Sequence, residues 1–145
     1  MKKLAVHKVL INAPVEVVWA KLVDWQHWTE WDKAMQSIRF KGPLALDSKG
    51  KIGLGKGVSG TLVVTEFIEG VSYKSEFKLF GSRYEFDHHL ESAAQFTLVT
   101  FRISAEGYLS DVFNLALMAT FGEKLPQWMN NFKQFIEQKK VDTPT

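Results

Sequence analysis

The stretch INAPVEVVWAKLVDWQHWTEWD, residues 11–32, holds four of the chain's five tryptophans and follows directly on a strand-like N-terminus. Pro14 suits a first helical position, because its missing N–H would be unpaired there anyway, and Glu16 favours the positive end of the helix dipole. Val15, Val18, Trp19 and Leu22 form an apolar stripe at helical spacing and predict a short helix ending near Asp24. In DWQHWTEWD (24–32) the tryptophans recur every third residue. At 3.6 residues per turn they drift by about 60° per step, so Trp25, Trp28 and Trp31 make a slanting ridge on a second short helix. A covered indole buries up to ~250 Å², worth about 6 kcal/mol at about 25 cal/mol per Å². Packing against a sheet is therefore the reading for Trp19 and Trp31, while Trp25 and Trp28 stay open. A nucleic-acid platform would interleave basic residues with the rings, and this stretch offers Asp24, Glu30 and Asp32 instead.

Upstream, residues 3–11 alternate as a strand, with His7, Val9 and Ile11 on one face and Val6, Lys8 and Leu10 on the other. The MKKLAV start mimics a secretory signal, but His7 and Lys8 interrupt it before the ~7–15 apolar residues such a signal needs. No apolar run approaches the ~20 residues of a membrane span, and a cytoplasmic location is the expectation. Downstream, a strand is expected over Met35–Phe40. The segment Gly50–Gly60 reads as a hairpin around Leu54–Gly57. Gly50, Gly55 and Lys56 nearly make a phosphate-binding loop, but Gly57 stands where that loop needs Ser or Thr, and the flanks are strands. Further strands follow at Val58–Ile68, Val71–Phe80, Arg83–Glu91 and Gln95–Glu106. In the third of these Arg83, Glu85, Asp87, His89 and Glu91 face one way, and Tyr84, Phe86, His88 and Leu90 the other. Turns this short predict consecutive antiparallel hairpins.

Residues 109–139 turn helical, with Leu125, Trp128, Met129, Phe132, Phe135 and Ile136 as a stripe. Pro126 would clash with the carbonyl of Gly122, so a kink or break is expected there. The segment 109–121 is apolar nearly all round. Either its sides meet different parts of the sheet, or Leu117, Met118 and Phe121 face a cavity or a second subunit, which leaves a homodimer open. Residues 141–145 read as a frayed tail. The whole is one α+β domain over 1–145, long enough to bury roughly two-thirds of its unfolded surface.

Composition narrows the function. The 145 residues carry 18 basic and 16 acidic side chains spread evenly, and no basic block points to nucleic acid. Without cysteine there is no disulfide, thiolate metal site or cysteine nucleophile. His88 and His89 point to opposite faces of a strand and do not share a metal ion. His7 and His27 have no clustered partners. No serine elbow appears, the outward carboxylates lie away from His88, and the orientation of Glu66 and Glu76 stays open. No cofactor or metal is expected.

The order of elements, with INAPVEVVWAKLVDWQHWTEWD (11–32), FKG (40–42), FDHHLE (86–91), FRISAEG (101–107) and EKLPQWMNNF (123–132), resembles the START-like (SRPBCC) helix-grip superfamily, most closely its polyketide cyclase/dehydrase-like branch. The resemblance covers nearly the whole chain. It implies six to seven curved antiparallel strands wrapped around the C-terminal helix, with an apolar cavity between and the two short helices closing one end. Phe101 departs from the branch, whose members often carry a histidine there. The function implied is binding of a small hydrophobic molecule such as a lipid, polyketide or flat apolar compound. The expected lining is Tyr73, Phe77, Tyr84, Phe86, His88 and Phe101 from the sheet and Met118, Phe121 and Met129 from the helix, with Trp28 as a gate. Two alternatives remain: a cyclase or dehydratase with His88 as acid or base and Tyr84 assisting, and a protein-interaction module whose cavity is filled.

Overall fold

Alternation broken by tight turns builds one sheet. The computed structural model describes residues 2–32, 35–55, 57–79, 81–107 and 111–138, the last segment with side chains from 123 onward. Its elements are β1 (Lys2–Ile11), α1 (Val15–Leu22), a 3-10 turn (Trp25–His27), α2 (Trp28–Trp31), β2 (Ser37–Arg39), β3 (Lys49–Gly55), β4 (Val58–Ile68), β5 (Ser72–Leu79), β6 (Ser82–Ala93), β7 (Phe96–Gly107) and α3 (Asp111–Ile136). The spatial order is β1-β7-β6-β5-β4-β3-β2. Every neighbouring pair is antiparallel. Strands β2 to β7 follow one another as hairpins, while β1 joins the opposite edge beside β7. The helical segment between β1 and β2 therefore carries the chain from one edge of the sheet to the other.

The sheet has one apolar and one charged face. On the outer face Arg83 lies 3.0 Å from Glu76 and 2.6 Å from Glu106, and Lys74 lies 3.6 Å from Glu66. That settles Glu66 and Glu76 as outward carboxylates. Such solvated pairs contribute little, about 0–1 kcal/mol each. The inner face is covered by α1, α2 and α3, and its core includes Ile11, Val18, Leu22, Val99, Met129 and Phe132, all fully buried.

Several boundaries differ from the sequence expectation. Pro14 sits one position before the helix as its extended cap residue, φ −68° and ψ 156°. The tryptophan segment divides into a 3-10 turn and a single α-turn. In β2 only Ser37–Arg39 pair with β3, opposite Gly53 to Lys51. A register shift between Lys3 and Ala5 breaks the alternation of β1, so Leu4 is buried while Val6 and Leu10 stay exposed. The break expected at Pro126 is absent, and α3 runs through it. Proline removes one hydrogen bond there, but Leu125, Met129 and Phe132 hold the following turns in the core.

The C-terminal end of α3 is also fastened to β1. Lys133 Nζ donates to the Leu10 carbonyl at 3.0 Å, and the Asn12 N–H donates to Glu137 Oε2 at 2.8 Å. Lys133 and Glu137, one helical turn apart, close this clasp at 2.7 Å. The tail at 141–145 lies outside the described residues.

Candidate functional site

Strand register brings the inward side chains into rows across the sheet. Phe101, His88 and Tyr73 stand side by side on β7, β6 and β5. The next row holds Ile103, Phe86, Ser75 and Val64, and the one beyond it Ala105, Tyr84, Phe77 and Leu62. Ser75 is buried yet small. Where it stands the floor is low, and a cavity of about 370 Å³ remains between the sheet, α2 and α3.

Glycines shape the same floor. A Cβ at Gly60 would lie 2.4 Å from the Phe77 ring, and one at Gly50 would lie 2.5 Å from the Phe40 ring. Both glycines sit within strands rather than in the turn, and they let each ring lie close against the sheet. The turn itself uses Gly57 at φ +77°, a conformation glycine adopts without steric cost.

Of the residues expected to line the cavity, Trp28, Tyr73, Phe77, Tyr84, Phe86, His88 and Phe101 do so. Met129 does not. It is fully buried in the core, and Leu125 and Trp128 supply the wall of α3. The side chains of Met118 and Phe121 lie outside the described residues. Sequence reading missed Trp31, Asp32, Met35, Ile52, Leu62, Ser75 and Ile103 as wall residues. Ser75 was within reach, because it lies between Tyr73 and Phe77 on one face of β5.

The wall is mainly a set of packed rings. Trp28 and Tyr73 are nearly parallel, 4° apart with centroids 6.4 Å apart. His88 stacks on Tyr73 at 4.2 Å and meets Phe101 edge-on at 4.5 Å. Trp31 packs against Phe132 at 4.6 Å. Trp28, expected as a gate, is 4% exposed and donates its indole N–H to the Leu22 carbonyl at 2.8 Å. It stands in the wall of the cavity. Trp19 and Trp25 are likewise bonded, to Glu69 at 3.0 Å and to the Gly42 carbonyl at 2.8 Å.

Polar groups at the cavity are few. The His88 ring lies 3.4 Å from the Tyr73 carbonyl through Nδ1. A carbonyl only accepts, so Nδ1 carries the proton and Nε2 keeps its lone pair. Burial pushes the imidazole down to about 4, only partly opposed by that hydrogen bond, and His88 is neutral at physiological pH. Burial, with the Asp32 carboxylate adding to it, holds the Tyr73 phenol far above its usual range. Burial also raises Tyr84, against a smaller opposite pull from Ser82. Asp87 and Arg102 border the cavity, but His88 and Phe101 beside them face inward. Their charged ends therefore meet on the outer face, 3.7 Å apart.

An apolar cavity held between an antiparallel sheet and a long C-terminal helix, with two short helices following the first strand, defines a START-like helix-grip domain. The match to the family of polyketide cyclases/dehydrases and lipid transport proteins spans residues 4–135, and the chain belongs to that family. No curated protein matches the sequence. Among solved structures, TTHA0849 from Thermus thermophilus is similar at 12% identity and a TM-score of 0.75, over 92% of this chain and 97% of that one. A START superfamily protein from Mycobacterium smegmatis is similar at 15% identity and a TM-score of 0.71, over 92% and 97%. DynU16, from the dynemicin biosynthetic locus, shares 16% identity with a TM-score of 0.74 over 94% of this chain, which spans 48% of DynU16. At such identities the likeness is one of fold.

Proposed function

We propose that this chain binds a small hydrophobic molecule in the cavity between the sheet and α3. The observation that carries the proposal is the unfilled apolar space of about 370 Å³ in a chain with large side chains to spare. That volume lies at the small end of ordinary ligand pockets, about 300–1,000 Å³. Binding would proceed by transfer of apolar ligand surface out of water, with the few polar groups of the wall setting orientation. The family's description as lipid transport and polyketide cyclase/dehydrase proteins agrees with this reading. A catalytic role for His88 draws less support, because an imidazole held near 4 is a weak base at neutral pH. The open space among the described residues favours this reading over an interaction module, for which a filled interior is expected.

The test compares native and denatured mass spectra of the protein purified from its own host. A discrete extra mass, lost on denaturation, is the expected result. A clean apo mass, together with no rise in melting temperature across a library of apolar compounds, would overturn the proposal.

A further inference from the structure

The His88 ring is tied down on one edge and open on the other. Nδ1 donates to the Tyr73 carbonyl at 3.4 Å, one face stacks on the Tyr73 ring at 4.2 Å, and Phe101 meets it edge-on at 4.5 Å. With Cγ leaving β6 and Nδ1 turned to a carbonyl of β5, the far edge of the ring carries Nε2 away from the sheet. The cavity that His88 lines lies on that side. Nε2 makes no hydrogen bond with a described residue. Unlike the Trp31 indole nitrogen and the Tyr84 hydroxyl, which are sealed off, it keeps accessible surface. His88 is accordingly half-buried, whereas its inward neighbours Tyr73 and Phe101 are buried.

That open edge says what kind of partner fits. With its proton on Nδ1, the ring offers the cavity a lone pair and no donor. The hydroxyls of Ser75 and Tyr73 can donate or accept, so they set no preference, and the Asp32 carboxylate only accepts. Among the described wall residues there is no lysine, and the guanidinium of Arg102 is held by Asp87 on the far face of the sheet. A ligand carboxylate would set lone pair against lone pair, lose its hydration and meet no cation. A ligand hydroxyl brings the proton that Nε2 lacks. Charge of either sign is penalised by the same burial that keeps the imidazole neutral, and the rest of the wall is mainly aromatic and aliphatic.

We infer that the cavity selects a neutral ring compound carrying a hydroxyl group, a phenol or an alcohol, and that His88 Nε2 accepts the hydrogen bond from that hydroxyl. The inference rests on the cavity-binding proposal above and narrows it, because it ranks fatty acids, other carboxylates and plain hydrocarbons below hydroxylated rings. No proton is transferred, and His88 acts as a specificity residue.

The test titrates four probes calorimetrically at pH 7: 2-naphthol, naphthalene, 2-naphthoate and 2-naphthylmethylamine in its ammonium form. Naphthol should bind about tenfold more tightly than naphthalene, as expected for one well-made hydrogen bond, and the two charged probes most weakly. In His88→Phe the ratio of naphthol to naphthalene affinity should fall toward one. In two-bond ¹H–¹⁵N spectra of the four histidines, the His88 signals are those lost in His88→Phe, or in His88→Asn should the first variant not fold. They should show the proton on Nδ1, and the Nε2 signal should move upfield with naphthol well beyond any change with naphthalene. A ratio unaltered in His88→Phe, or an Nε2 signal unmoved by naphthol, would overturn the inference and leave the cavity reading standing. A proton found on Nε2 in the empty protein would overturn it too, since that atom would then donate. Tightest binding by naphthoate would overturn it in favour of an anion site, and tightest binding by the ammonium in favour of the Asp32 carboxylate. Failure of all four probes to bind would count against both readings.

Discussion

Strands β6 and β7 pass through two different environments within one continuous pairing. At one end Leu90 opposes Val99, and Val99 opposes Val9. There α1 and the clasped end of α3 leave Val99, Ile11, Val18 and Leu22 without solvent exposure. At the other end Phe86 opposes Ile103 and Tyr84 opposes Ala105, with the same alternation, and a cavity remains. The pattern of apolar and polar residues is alike at both ends. What differs is the size of the side chains on the floor. Amphipathic patterning decides that a face is buried, whereas the placement of a small residue such as Ser75 decides whether it is filled.

One substitution made at each end would break this comparison or sharpen it. Leu22→Ala, at the filled end, should cost about 2–5 kcal/mol in urea denaturation, and Leu62→Ala, on the cavity wall, should fall at the bottom of that range because it already borders open space. Equal costs would mean that the two ends are packed alike. The second effect is a pH dependence confined to the cavity end. His88 has a folded value of about 4 against 6.5 in the unfolded chain. Above pH 6.5 both states are neutral and its contribution is complete. As the pH falls from 6.5 to 4 the unfolded chain takes up a proton that the fold refuses, and up to about 3 kcal/mol is lost. In His88→Phe the urea midpoint should vary less across that window than in wild type, and an unaltered slope would show that His88 is not the source.

Smaller effects follow from the floor itself. Gly60→Ala should cost about 1–3 kcal/mol, because its methyl meets the Phe77 ring and displaces it toward the cavity. Ser75→Val should do the reverse, raising stability by up to about 1 kcal/mol as it occupies empty space. It should also weaken uptake of any cavity ligand. A loss of stability in Ser75→Val, read from thermal melts, would mean that the serine hydroxyl serves the empty protein rather than making room.

Much of this architecture was legible in the sequence because it depends on local periodicity. The alternation over Arg83–Glu91 placed Tyr84, Phe86 and His88 on the inner face, and the tight turns required hairpins. Features set by distant contacts were not legible. The bulge that turns Leu4 inward depends on pairing with β7. The glycines of β3 and β4 read as turn residues, because the rings of Phe40 and Phe77 that need them lie far away in the chain. On α3 the stripe was plain, but neighbouring positions differ by 100° around a helix. A shift that small exchanges Met129 for Trp128 at the cavity. The continuity of α3 through Pro126 likewise depended on how firmly the following turns were packed.

The clasp between α3 and β1 has a consequence for how molecules of this protein meet one another. β1 is a ten-residue strand at the rim of the sheet, with β7 on one side only. A row of free amides and carbonyls of that length is a template on which a foreign strand can grow, the step that begins fibrillar aggregation. Lys133 occupies the Leu10 carbonyl and Glu137 the Asn12 amide. Lys3 and Lys8 place further charge along the strand. The contacts that fasten the helix therefore also act as a gatekeeper against self-assembly at the rim.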